Sequence, residues 1–298
     1  MTDNNLSPAS SDGGFKIMIV GLGLIGGSMA YALRGFKNAE IIGVDIDPET
    51  RRKAVKEKAV HRACADMSDA AYEADLIIMC TYPDLAVKLL EEHRNELKRG
   101  VVVTDVCGVK TDVSRRIRRA LPDHADYVGG HPMAGKEVEG FDNASPELFW
   151  MTGYIITPFA DSKPESVKLI KELAHFIGAT RITVASPEEH DAIIAYTSDL
   201  MHVSASALCL TYPEKMNRAY TAGSFRDCTR VARINPELWT ELFLSNAKNT
   251  AAEIDRLIEN LNTIKSAILS NDEKGLYSIL ERVHDNKLTM QAKEPESI

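Results

Sequence analysis

The run IMIVGLGLIGGS at residues 17–28 constrains the fold of this chain more than any other stretch. Four apolar residues that suit a buried strand lead into G-x-G-x-x-G at Gly21, Gly23 and Gly26, and the residues beyond suit a helix. In that setting the first glycine permits a tight turn, the second lets the backbone approach a pyrophosphate, and the third allows helix and strand to pack closely. Amides near Leu24 and Ile25 then point from the helix N-terminus at the phosphates, where unpaired donors and the helix dipole favour an anion. A second apolar run, EIIGVD, closes on Asp45, 19 residues after Gly26. A carboxylate there accepts hydrogen bonds from an adenosine ribose, which points to NAD. Thr81 and Tyr82 follow the run ADLIIMC and fall at the carboxyl edge, where a dinucleotide crosses a parallel sheet. A glycine turn without a ligand is the competing reading; strand, helix and acidic residue in register weigh against it.

Around this unit, apolar runs alternate with helical patterns. KIMIVG is followed by a helix near Ser28 to Arg34, EIIGVD by a helix opened by Pro48, and ADLIIMCT by a helix from Asp84 to about Leu97. VVVTDV precedes a basic helix through Arg115 and Arg119; DYVGG and GYIITP are further strands; a helix through Ile170 and Phe176, closed by Gly178, leads to TRITVA. Strand and helix in alternation predict an α/β fold with a parallel sheet, a Rossmann-type nucleotide-binding domain. After Ala185 the pattern changes. Ser186-Pro187-Glu188-Glu189 combines an N-cap, a proline at the first helical position and a capping-box glutamate, and no clear strand follows. The predicted organisation is therefore a disordered polar tail at 1–14, a dinucleotide-binding domain at 15–185 and an all-helical domain at 186–298. Helices are expected from Pro187 to about Leu210, from about Ser224 to Arg233, and from Pro236 with Asn235 as cap. In the last, Ile254, Leu257, Ile258, Leu261, Ile264 and Ile268 form one apolar stripe that needs a partner, either the protein's own core or a second subunit.

Composition narrows the function. A net charge of −8 argues against the basic surface that backbone-driven nucleic-acid binding requires, so a small molecule is the expected partner. Nowhere do 18 apolar residues run uninterrupted, so no membrane span is expected. Five widely spaced cysteines, with no CxxC pair to suggest zinc or redox chemistry, read as reduced thiols of a cytoplasmic protein.

Three groups carry candidate chemistry. His131 leaves a strand end among small residues, in GGHPMAG at 129–135, which leaves room for a ligand against the imidazole. Ser198 and His202 share a helix face, and so do Arg226 and Arg230. Taken alone, they read first as a structural loop histidine, a core histidine and a solvated basic stripe.

Together with VTDVCGVK at 103–110, the helix HDAIIAYTSDLMH and the run FRDCTRVARINPELW, these motifs resemble the prephenate dehydrogenase family over about Lys16 to Asn249. The resemblance implies oxidative decarboxylation of prephenate to 4-hydroxyphenylpyruvate in tyrosine biosynthesis, with NAD as cofactor and a homodimer built on the helical domain. It assigns His131 to the substrate's ring hydroxyl and His202 and Arg230 to the substrate pocket, with Arg226 as a further candidate for a substrate carboxylate. Two positions depart from the family pattern: Gly108 stands where a serine is usual, and Asp199 where a histidine is usual. The alternatives are arogenate as substrate, which an acid near the pocket favours, and a catalytically silent dinucleotide-sensing protein.

Overall fold

The structure is a computed structural model, and it describes residues 14–292. The expectation for the polar tail falls almost wholly outside them. Eight strands form one sheet: β1 (Lys16–Val20), β2 (Glu40–Val44), β3 (Arg62–Cys64), β4 (Leu76–Met79), β5 (Val102–Asp105), β6 (Asp126–Pro132), β7 (Gly153–Pro158) and β8 (Arg181–Val184). Their order is β3-β2-β1-β4-β5-β6-β7-β8, and every pair is parallel except β6 with β7. The chain works outward from β1 to β3 and then crosses to β4 on the other side of β1. The carboxyl ends of β1 and β4 therefore flank the point where strand order reverses, the place where open α/β sheets bind ligands.

The interleaved helices are α1 (Leu24–Ala32), α2 (Pro48–Lys56), α3 (Pro83–Glu92), α4 (Thr111–Ala120) and α5 (Pro164–Phe176). Residues alternate along β1. Ile17 and Ile19 join Met29, Leu33, Ile170 and Leu173 on one face, while Met18 and Val20 join Val87, Leu90, Val113 and Ile117 on the other. Both faces are thus covered, which is why the central strands read as unbroken apolar runs. The short β3 lacks such a run, and the sequence reading missed it.

Beyond β8 the described elements are helical, chiefly α6 (Pro187–Ile194), a π turn (Ala195–Asp199), α7 (Leu200–Leu210), α8 (Gly223–Thr229), α9 (Pro236–Ser245), α10 (Ala247–Leu269) and α11 (Glu273–Ala292). Ser186 caps α6 by accepting from the Glu189 amide at 3.1 Å, and Asn235 caps α9 by accepting from the Leu238 amide at 2.9 Å, as the sequence predicts. The helix expected to run on from Pro236 is two helices, broken at Asn246, and α11 had no counterpart in the sequence reading.

Candidate active site

The turn between β1 and α1 is shaped by what a side chain would meet. Gly21 has φ +89°, and a Cβ on Gly26 would stand 1.8 Å from the Gly21 carbonyl oxygen, so neither position takes another residue without moving the backbone. At Gly23, by contrast, no atom lies within 4 Å of a built Cβ, so the second glycine faces open space in front of the helix N-terminus at Leu24 and Ile25. Asp45 follows β2 with Oδ2 accepting from the Leu22 amide at 2.8 Å and Oδ1 from the Asp47 amide at 2.9 Å. These bonds fix the carboxylate beside the turn. Thr81 Oγ1 is buried without a hydrogen-bond partner, and its methyl packs against Gly21; Tyr82 opens α3 and its hydroxyl accepts from Asn235 at 3.0 Å. Open backbone donors, a fixed carboxylate and an unpartnered hydroxyl fit a dinucleotide.

His131 sits near the end of β6, at the same carboxyl edge. Its Nδ1 lies 2.8 Å from His190 Nε2 on α6, and His190 Nδ1 lies 2.8 Å from Asp191 Oδ1. Asp191 also receives the Lys110 and Thr111 amides at 2.8 and 2.7 Å. Burial pushes the Asp191 carboxyl up, but the bonds from His190 and Thr111 outweigh it and hold the group below its ordinary value. Bond partners then assign the protons along the chain. A carboxylate only accepts, so His190 carries its proton on Nδ1 and accepts at Nε2; His131 therefore carries its proton on Nδ1. The lone pair of His131 is left on Nε2, which stands beside Gly108, 3.9 Å from where a Cβ on that glycine would be. Burial, with His190 and Lys110 close by, holds His131 well below the ordinary histidine range, so at neutral pH the ring is uncharged and able to accept a proton.

Lys110 and Asp105, both fully buried, pair beneath this chain, and Asp105 also accepts from the Tyr127 hydroxyl at 2.8 Å and the Cys107 amide at 3.0 Å. The turn from Asp105 to Thr111 is thus fixed below and holds Asp191 above. On the opposite side His202 stacks on Trp239 of α9, ring centroids 3.6 Å apart, with Nδ1 bonded to the Ser198 carbonyl at 3.0 Å. Arg230 follows α8 and pairs with Glu137 in the loop after β6, its side chain 63% exposed. Arg226 is exposed, and among the described residues no ion pair links it to this group. Sequence reasoning singled out His131, His202 and Arg230 but not His190, Asp191, Trp239 or Glu137. The one available signal was the His190-Asp191 pair that opens the run HDAIIAYTSDLMH.

Two family models match the chain: prephenate dehydrogenase, nucleotide-binding domain, over residues 29–183, and prephenate dehydrogenase, dimerization domain, over residues 186–282. The chain is 35% identical over 263 residues to a cyclohexadienyl dehydrogenase of Zymomonas mobilis, covering 86% of this chain and 89% of that one. A crystal structure of prephenate dehydrogenase from A. aeolicus, in complex with hydroxyphenyl propionate and NAD+, superposes with a TM-score of 0.84 at 28% identity, over 95% of this chain and all of that one. Synechocystis arogenate dehydrogenase superposes with a TM-score of 0.79 at 29% identity, over 93% of this chain and all of that one.

Proposed function

Since this chain belongs to the prephenate dehydrogenase family, we propose that it oxidatively decarboxylates prephenate to 4-hydroxyphenylpyruvate with NAD. The observation that carries this reading is the His131–His190–Asp191 chain, which leaves an unprotonated nitrogen beside Gly108 at the carboxyl edge of the sheet, the same edge as the glycine turn. Bound at the glycine turn, NAD supplies the hydride acceptor. His131 Nε2 takes the proton of the ring hydroxyl as C4 gives up its hydride, and the ring carboxylate leaves as carbon dioxide, its bonding electrons completing the aromatic ring and passing charge to the C4 oxygen, which takes the proton back from His131. Aromatisation drives the reaction, so the residues mainly place the substrate and hold charge. Arg230 offers its planar fork to a substrate carboxylate once Glu137 gives way, and His202 lines the same side. Asp199, the acid that would favour arogenate, spends Oδ2 on Asn246 and Thr250, which supports prephenate as the preferred substrate.

The test is direct. Pure protein with prephenate and NAD should show the absorbance of reduced nicotinamide, with arogenate and NADP as parallel arms. No signal with either substrate sinks the reading and returns the protein to a silent dinucleotide binder. NAD should be preferred over NADP at least roughly tenfold, because Asp45 would lie about 4 Å from a 2′-phosphate, at a cost on the order of 4 kcal/mol before solvent screening. Equal specificity constants would overturn this and direct attention to Arg51, whose guanidinium bonds the carbonyls of Asp45 and Ile46 at 2.7 and 2.9 Å. Arg230→Ala should raise the KM for prephenate by roughly ten- to a hundredfold, the worth of one charge-assisted contact of about 1.5–3 kcal/mol, discounted at its upper end for solvent exposure. An unchanged KM would make Arg230 a solvated surface group.

We propose the divisions 15–185 and 186–298 as the two working units, with the second forming a homodimer. On α10, Ile258, Leu261 and Ile268 are 48, 55 and 56% exposed in the single chain, and α11 adds Tyr277, Leu280 and Val283. Only 28% of the most apolar window of Pro187–Leu210 is buried within one chain. Apolar surface of this extent is suited to an isologous interface. Light scattering should give a dimer at micromolar concentration, and a monomer there would reject it. The five free cysteines support a cytoplasmic location.

A further inference from the structure

The helix that carries His190 and His202 is not uniform, because α6 and α7 are joined by the π turn at Ala195–Asp199. A π turn absorbs one more residue than an α turn, and such turns persist where something holds them. At about 100° per residue, the twelve steps from His190 to His202 would set the two side chains about 120° apart on an unbroken α-helix. With one residue absorbed, they come within about 20° of each other. Both then project from the same face of the helix.

One buried side chain spans that turn. Asn246, between α9 and α10 and 3% exposed, uses its amide nitrogen to donate to the Asp191 carbonyl, ahead of the turn, and to Asp199 Oδ2, which closes it, both at 2.9 Å. The Asn246 Oδ1 accepts from Asn249 Nδ2 at 2.9 Å, which fixes the orientation of the amide, and Thr250 Oγ1 donates to Asp199 Oδ2 at 2.9 Å. Asp199, one of the two departures from the family pattern, is thus the acceptor for two donors, one at the α9–α10 junction and one on α10.

We propose that Asn246 and Asp199 are positioning residues, a clamp that holds the π turn so that the proton-accepting His131–His190–Asp191 chain and the substrate-binding His202 share one pocket. This rests on the function proposed above. The clamp accounts for the break between α9 and α10: continuing the helix through Asn246 would carry its amide away from both acceptors.

The experiment uses the full chain in a Trp150→Phe background, where Trp239 is the remaining tryptophan and its fluorescence reports stacking on His202. Asn246→Ala should lower kcat/KM for prephenate by roughly ten- to a hundredfold, the range for a misplaced positioning group. It should also abolish the pH-dependent quenching of Trp239 by His202. Asp199→Asn, which keeps an acceptor oxygen for both donors, should stay close to the parent in both readouts. Deleting the exposed Thr197 from the Asn246→Ala protein should restore both, because a regular helix one residue shorter aligns His190 with His202 unaided. Parental values in Asn246→Ala, or a deletion that restores neither readout, overturn the clamp. Should Asn246→Ala not fold, Asp199→Leu against Asp199→Asn makes the same comparison. A parent that oxidises no prephenate defeats the proposed function, while the fluorescence arm still decides the clamp.

Discussion

Replacing His131 with asparagine is expected to lower kcat by about 10²–10⁴-fold, the contribution of a positioned general base, while the affinity for NAD stays nearly unchanged. The two effects separate because the proposed cofactor cradle lies at Gly21 to Gly26 and Asp45, whereas His131 Nε2 lies beside Gly108, in the proposed substrate site. Asparagine keeps a hydrogen-bonding group of similar size and lacks only the basic nitrogen. The pH profile gives a second readout. An isolated imidazole titrates near pH 6.5, but burial first, then His190 and Lys110, hold His131 well below that. A depressed pKa means that the neutral, active form persists as pH falls through 6.5, and that kcat declines only at lower pH, as the ring takes up its proton. His202, which burial also lowers, serves as the comparison: His202→Asn should alter KM more than the acid limb. Near-normal turnover in His131→Asn with the same acid limb would make His131 a pocket residue and move the base elsewhere, to His202 first.

What was legible in the sequence was what is decided locally. The glycine turn could be read because Gly21 and Gly26 leave no room for a side chain, a requirement that writes itself into a six-residue pattern. Asp45 could be read because it closes the next strand. The caps at Ser186 and Asn235 lie within three residues of the amides they bind. The rest of the site is non-local. Asp191 is held by amides 80 and 81 positions away, Arg230 pairs across 93 positions, and neither spacing leaves a mark on its neighbours. Asn246 reads as one more residue of a long amphipathic helix, because nothing in its own segment shows that its amide is wanted by Asp191 and Asp199. The stripe from Ile254 to Ile268 left its partner open, and the exposure of Ile258, Leu261 and Ile268 in the single chain favours a second subunit.

Asp191→Asn should reduce kcat on the order of 10²–10⁴-fold, although the residue stands two groups away from the substrate. The carboxylate accepts from three donors, His190 Nδ1 and the Lys110 amide at Oδ1 and the Thr111 amide at Oδ2. An amide has one acceptor and one donor end. If its nitrogen takes the place of Oδ1, it faces the Lys110 N–H and turns His190 into the acceptor at Nδ1. The His190 proton then moves to Nε2, His131 must accept at Nδ1, and the His131 proton sits on the nitrogen that should receive the substrate's. If the nitrogen instead takes the place of Oδ2, it faces the Thr111 N–H, and the buried donors are left unpaired at about 1–3 kcal/mol. In both orientations the charge that steadies the imidazolium formed on proton transfer is gone. A serine-protease triad stripped of its carboxylate in this way loses about 10⁴ in kcat, which sets the upper end of the range. Retained NAD binding separates this outcome from misfolding. A kcat within about threefold of the parent would show that His131 holds its tautomer without the chain behind it, and the proton would then have to be placed by the substrate itself.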